Sequence, residues 1–556
     1  MHDLMHDLAM LVAGNDYCYL NSKAEKVEGR PMHVSLESDE TIHLLKSLDP
    51  SRLRTLILPD DLEEEEYLSV IAKFKYLRAL SMHHLSDYTE HSKHLRYLVL
   101  RRQTSLPKSI SNLVFLQTLK LWECDEESFS EVVTKLVNLR CLGIADNDSM
   151  MSAMPVGLGK LCSLQFLSTF VVGDSQEIKY GTLNELKDLN LIRGNLEIVH
   201  LNRVREVALE SQHVNLKEKN FLRSLTLYWS HGDIHNSDSL QLLENLQPHR
   251  NLKRLEVFYY PGVLFPNWLS LLTNVVDITL LGFDNCRCLP PLERLPSLKS
   301  LMIHSLYELE YIYLYEDGFA VTFFQSLESL TLESCPKLMV WRRRADDIND
   351  SHKLSSSLSF PHLSRLEVFE CPQLTCMPTF PNVKAIRWYE RNGEPLIATL
   401  NTRASTCSAD SSSSAAPLSM LKKLTISDPM NLPRGWMQNL TSLKSLRIQW
   451  CDNETLQEFE TGFKDDTNCL PSMRKISILM CERLKALPDW ICNLSSLQHI
   501  KIYGCPNLAS LPEGMIGLTN LKIFEVQRCS LLLKECRTET SAVSRQIAHI
   551  PRIILG

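Results

Sequence analysis

No run of about 18 apolar residues occurs in this 556-residue chain, so the sequence offers no membrane-spanning helix. Its first residues, Met1-His2-Asp3-Leu4-Met5-His6-Asp7, place acids and histidines where a secretory leader carries basic residues. Charge of one sign is not in large excess. With 59 Lys and Arg against 66 Asp and Glu, the net charge is −7, which gives no general attraction to nucleic acid or to an anionic membrane. The histidines form no His-Glu-x-x-His pair, and no serine stands in a nucleophile elbow. Gly157-Leu-Gly159-Lys160 resembles a phosphate loop, but that loop requires glycine where Met154 stands and a hydroxyl where Leu161 stands. Catalysis, a metal site and a bound cofactor are therefore not expected in this chain.

What the chain does have is a returning phrase, Leu-x-x-Leu-x-Leu-x-x-Cys. It appears as Leu116-Gln-Thr-Leu119-Lys-Leu121-Trp-Glu-Cys124 and as Leu327-Glu-Ser-Leu330-Thr-Leu332-Glu-Ser-Cys335. Further copies end at Cys371, Cys451, Cys505 and Cys529. Alternation within Leu-x-Leu sends both leucines to one face of a short strand. One such unit cannot bury its apolar face alone, whereas a stack of units forms a continuous core. Followed from Leu53 to Cys529, the phrase gives about 19 candidate units with a period of about 26 residues, the leucine-rich-repeat range. The fold class read from this is an α/β solenoid: a leucine-rich-repeat horseshoe with short parallel concave strands. Leu106-Pro107, Leu487-Pro488 and Leu511-Pro512 begin the return segments, where proline favours extended or turn-rich backbone, so the convex returns are expected to be mostly irregular.

Seven of the 17 cysteines, Cys124, Cys335, Cys371, Cys451, Cys481, Cys505 and Cys529, close the phrase. They are separated by whole coils and form no Cys-x-x-Cys pairs, which points to buried, reduced thiols in a reducing compartment. Residues 1–13 read as a short helix stopped by Gly14, and Val204–Lys219 as a second helix. Insertions break the spacing at 341–360 and at the Ser-rich 401–417, and the tail after about 536 lacks the phrase and reads as a loose cap. The organisation expected is an N-terminal segment at 1–30, repeats over 31–535 and a C-terminal tail at 536–556.

The opening Met1-His2-Asp3-Leu4-Met5-His6-Asp7-Leu8-Ala9, placed before such a solenoid, resembles the junction in plant intracellular nucleotide-binding leucine-rich-repeat disease resistance proteins of the coiled-coil class. Leu183-Asn-Glu-Leu186-Lys-Asp-Leu189, leading into Arg193-Gly194 and then Leu225-Thr-Leu227-Tyr-Trp229, is similar to their middle repeat region. The resemblance implies that 1–30 is the end of a winged-helix and nucleotide-binding module. His2 would face the ADP diphosphate there, and Asp3 would support the inactive arrangement. With the phosphate loop missing, both are remnants, ADP or ATP is implied only for a full-length receptor, and the chain reads as a C-terminal fragment or truncated product. The function implied is recognition and autoregulation in the cytoplasm. Partners would be a pathogen effector or guarded host protein, and the nucleotide-binding module of a full-length receptor. The alternative is a truncated decoy or a scaffold outside any nucleotide-switched receptor.

Recognition is expected on the strand face. The residue after the third apolar position of the phrase projects from it, and that slot holds Trp122, Tyr228, Phe258, Phe369, Tyr389 and Tyr503, with Trp450 one place on. Aromatic side chains are common energetic anchors of protein interfaces.

Overall fold

The computed structural model describes residues 5, 8, 11–27, 29–59, 69–83, 92–101, 106–122, 132–145, 153–173, 180–230, 238–315, 324–344, 359–390, 395–396, 418–427, 440–451 and 470–556. The two insertions and the Met-His-Asp pair fall mostly or wholly outside these residues. The chain divides into two compact units, Met1–Tyr259 and Tyr260–Gly556.

In the first unit, eight parallel strands run in sequence order from Tyr17–Leu20 to Phe166–Leu167. A second ladder joins Thr169–Val171, Gly194–Val199, Leu222–Tyr228 and Arg254–Phe258. The second unit carries the regular ladder from Asp277–Leu281 to Arg552–Leu555, again parallel and in order. This is the leucine-rich-repeat solenoid read from the phrase. Most strands alternate as the phrase requires: in Ser445–Gln449, Leu446 and Ile448 are buried while Ser445, Arg447 and Gln449 are partly exposed. In neighbouring Lys423–Ser427 and Lys475–Leu479 the small Thr425 and Ser477 between the apolar residues are buried as well. Buried aliphatic residues stack in register across coils, Leu424 beside Leu446 beside Ile476.

The strand ends share a device that the phrase does not announce. Gly282, Ser305, Ser334, Glu370, Trp450, Met480, Gly504 and Arg528 all have φ between +52° and +74°. Such left-handed backbone costs roughly 1–2 kcal/mol in a residue with a Cβ. Seven of these amides still extend the ladder, as in Ser334 N–H to the Phe369 carbonyl at 2.9 Å and Met480 N–H to the Tyr503 carbonyl at 2.8 Å. The next residue is thereby aimed into the core. It is the cysteine of the phrase, and Cys335, Cys371, Cys451, Cys481, Cys505 and Cys529 are all buried. In earlier coils Tyr260, Phe283 and Leu306 fill the same place.

The returns are short 3₁₀ turns, as at Lys108–Asn112, Asp489–Asn493 and Glu513–Gly517, each entered from an extended proline. Val204–Lys219, expected as one helix, contains only a single α-turn at Val207–Glu210 and a 3₁₀ turn at Leu216–Glu218. Asn215 between them takes φ +56°, which breaks the helical path so that Val214 and Leu216 both reach the core. The stretch after 536 is not loose. Helices Ser530–Arg537 and Ala542–Ile547 pack together, and Arg552–Leu555 pairs with Ile523–Gln527, covering the last coil with a strand that the phrase does not mark.

Candidate partner-binding face

Because buried and open positions alternate, each strand of the second unit contributes two or three side chains to the open face of its sheet. Read across successive strands, the middle position runs Glu367, Arg387, Thr425, Arg447, Ser477, Lys501 and Glu525. Both ends of this row are neutralised. Arg387 pairs with Glu367 at 3.2 Å, and Lys501 pairs with Glu525 at 2.8 Å. The Lys501 hydrogen bond also holds the Glu525 carboxyl below the usual range. Burial is the largest influence on adjacent His499, and it lowers that group. Arg447, in the centre, has small Thr425 and Ser477 on either side and no carboxylate partner among the described residues.

The aromatic candidates do not form one patch. Phe369 and Tyr389 meet edge to face at 5.5 Å, and Tyr389 reaches Trp450 at 6.2 Å. Between the strands of that last pair lies the short side chain of Ser427. Trp450 is 52% exposed, whereas Phe369 and Tyr389 are half-buried. Tyr503 is half-buried and carries the Arg528 guanidinium over its ring at 5.3 Å. In the first unit Tyr228 and Phe258 pack at 6.0 Å, with Tyr259 closing on Tyr228 at 5.3 Å. Trp122 belongs elsewhere on that unit. With Ile57, Tyr97, Val99, Arg101 and Lys120 it lines an open-face cavity of about 260 Å³. That is below the usual small-molecule range and suits one inserted side chain. His2 and Asp3 lie outside the described residues.

Three groups that look chemical are structural. The Gly157 and Gly159 amides, which resemble a phosphate cradle, donate to the Glu185 carboxylate of the next coil at 2.9 and 2.7 Å. Lys219 is fully buried, donates to the Leu186 carbonyl at 2.8 Å, and is pushed down to about 8 by burial. The strand-end thiols form a ladder. Whole coils separate them in sequence, yet one coil is a single strand spacing, so Cys451 and Cys481 approach to 2.9 Å between sulfurs. None of the fourteen described cysteines is joined in a disulfide. Sequence reading missed the unpaired cations of the open face. They occupy the x positions of the phrase, where the whole-chain charge of −7 conceals them.

Residues 183–306 match the family model of R13L1/DRL21 leucine-rich repeats. The block beginning Leu183-Asn-Glu-Leu186 lies inside this match. The chain is a leucine-rich-repeat protein whose homologues are plant disease resistance proteins. It is 33% identical to disease resistance protein RGA1 of Solanum bulbocastanum over 56% of this chain and 29% of RGA1. RGA2 of the same species is 32% identical over 41% of this chain and 23% of its own length. An Arabidopsis thaliana RPP13-like protein 1 is 28% identical over 87% of this chain and 49% of its own. The chain thus spans between about a quarter and a half of the length of these relatives. Among the described residues no helix is long and apolar enough to cross a membrane.

Proposed function

We propose that this chain is the recognition and autoregulatory repeat region of an intracellular plant disease-resistance receptor, acting without catalysis or a cofactor of its own. It works in the cytoplasm by protein–protein contact. Its open strand face engages a pathogen effector or guarded host protein, or the nucleotide-binding module of a full-length receptor. The observation that supports this best is the linked row Phe369, Tyr389 and Trp450, which leaves a large ring half exposed on a rigid sheet beside charged neighbours. Rings held in this way lose little conformational freedom on binding, which is what makes them energetic anchors.

The test uses the purified chain and interferometry against a candidate effector or a reconstituted nucleotide-binding module. Tyr389→Ala and Trp450→Ala should each weaken association at least about tenfold. Ile516→Ala, exposed on a return turn, should leave it unchanged. If Ile516→Ala costs more than both ring variants, the binding face is the wrong one.

A further inference from the structure

The cations at the centre of the second unit's open face make a second kind of site beside the rings. Lys423, Arg447 and Lys475 lie on three adjacent strands, Lys423–Ser427, Ser445–Gln449 and Lys475–Leu479. Lys423 and Lys475 are both in register with Ser445 on the middle strand, and Arg447 is two residues further along that strand. Strand spacing places the two lysine Cα atoms about 10 Å apart, with the arginine Cα about 7 Å along the strand from the line between them. Between them Thr425 and Ser477 are buried, and Ser445 is partly exposed. No carboxylate faces this triangle from the three strands, and none of the three cations has an acidic partner among the described residues. The next cations outward, Arg387 and Lys501, already hold Glu367 and Glu525. Along the middle row the unmet positive charge is therefore bounded on both sides, and exposed Lys422, Lys444 and Arg474 add to it at the entry to the same three strands.

We propose that Lys423, Arg447 and Lys475 form a carboxylate-binding site that takes an acidic segment of a protein partner, whose neighbouring apolar side chain rests on Trp450. The assignment deepens the recognition reading above and rests on it. Arginine suits the central place because its fork pairs two-toothed with a carboxylate. A protein segment fits better than a nucleic acid, because the chain as a whole is acidic, which disfavours a long polyanion, and exposed Trp450 beside the cations suits an apolar side chain next to a carboxylate. Three like charges without partners repel one another, so an anion that joins them relieves that repulsion as well as gaining its own contacts.

The experiment measures fluorescence anisotropy of the whole chain with a labelled peptide of about twelve residues in which glutamate and phenylalanine alternate. Saturable binding that weakens with added salt is expected. Arg447→Glu should weaken it at least about tenfold, and Arg447→Lys by no more than about threefold. Lys337→Glu makes the same charge change at a lysine that already pairs with Glu308, so it should change little. A circular dichroism melt verifies folding, with Arg447→Gln as the milder variant should the reversal unfold the coil. Equal loss in Lys337→Glu, no loss in Arg447→Glu and Arg447→Gln, no peptide binding at millimolar concentration, or tighter binding of an oligothymidylate each overturns the site. These results concern the cations alone. Failure of the recognition reading would show instead as partner association that ignores Tyr389 and Trp450.

Discussion

Differential alkylation gives a direct reading of the strand-end ladder. Iodoacetamide reacts with thiolate, so the rate at each cysteine reports its ionisation and its access. Cys505 is fully buried, and its hydrogen bond with Cys481, followed by burial, pushes its thiol up to about 12. Cys162 is exposed. At pH 8 a thiol at about 12 is ionised to roughly one part in ten thousand, against about a quarter for an ordinary cysteine near 8.5. That is a deficit of roughly two-thousand-fold. The more basic thiolate is the better nucleophile, and with a Brønsted slope near 0.4–0.5 this recovers roughly thirty- to fifty-fold. Ionisation alone should thus slow Cys505 by about 40–70-fold relative to an ordinary exposed thiol. Burial multiplies the protection by the reciprocal of the equilibrium constant for opening the coil, which grows exponentially with the free energy of opening. A timed native pulse, followed by unfolding, a second isotopic label and peptide mass spectrometry, should find Cys162 labelled first and Cys505 and Cys529 last. Labelling of Cys505 within tenfold of Cys162 would refute the burial argument, and a Cys451–Cys481 disulfide in freshly purified protein would refute the reduced ladder.

Leu446→Ala, at a fully buried position, should lower stability by roughly 2–5 kcal/mol in urea unfolding, with ring-dependent binding lost only as the coil opens. Lys219, lowered to about 8 when folded against about 10.5 unfolded, binds fewer protons in the native state between those values. Its contribution to stability should therefore rise from pH 8 to pH 10.5, seen as the difference in urea midpoint between the native chain and Lys219→Met. Gly504 has φ +67°, and a Cβ there would meet the Met480 sulfur at 2.7 Å. Gly504→Ala should cost roughly 1–2 kcal/mol, less if the Met480 side chain swings aside, measured by the same unfolding assay.

The repeat was legible in the sequence because its physics is local and periodic. Leu446 and Ile448 alternate on one strand, and the same pair of slots returns once per coil, so architecture, core and proline-led returns follow from spacing alone. The block from Leu183 likewise carried enough of its own pattern to be matched to its relatives. Tertiary structure decided whatever depends on which coils become neighbours. Nothing local says that Trp450, Met480 and Arg528 take left-handed backbone, because the ladder bond to the next strand is what holds them there. Arg552–Leu555 has no phrase, yet it pairs with Ile523–Gln527 and becomes the edge strand of the sheet, a pairing set by where the two terminal helices return the chain. The sequence separates Cys451 from Cys481 by thirty positions, whereas one strand spacing brings their sulfurs together. Arg447 reads as one more charged residue until the fold sets it between Thr425 and Ser477 and gives the acids to its neighbours. Spacing along the chain determines what is buried, and register between coils determines which surface residues can act as one site.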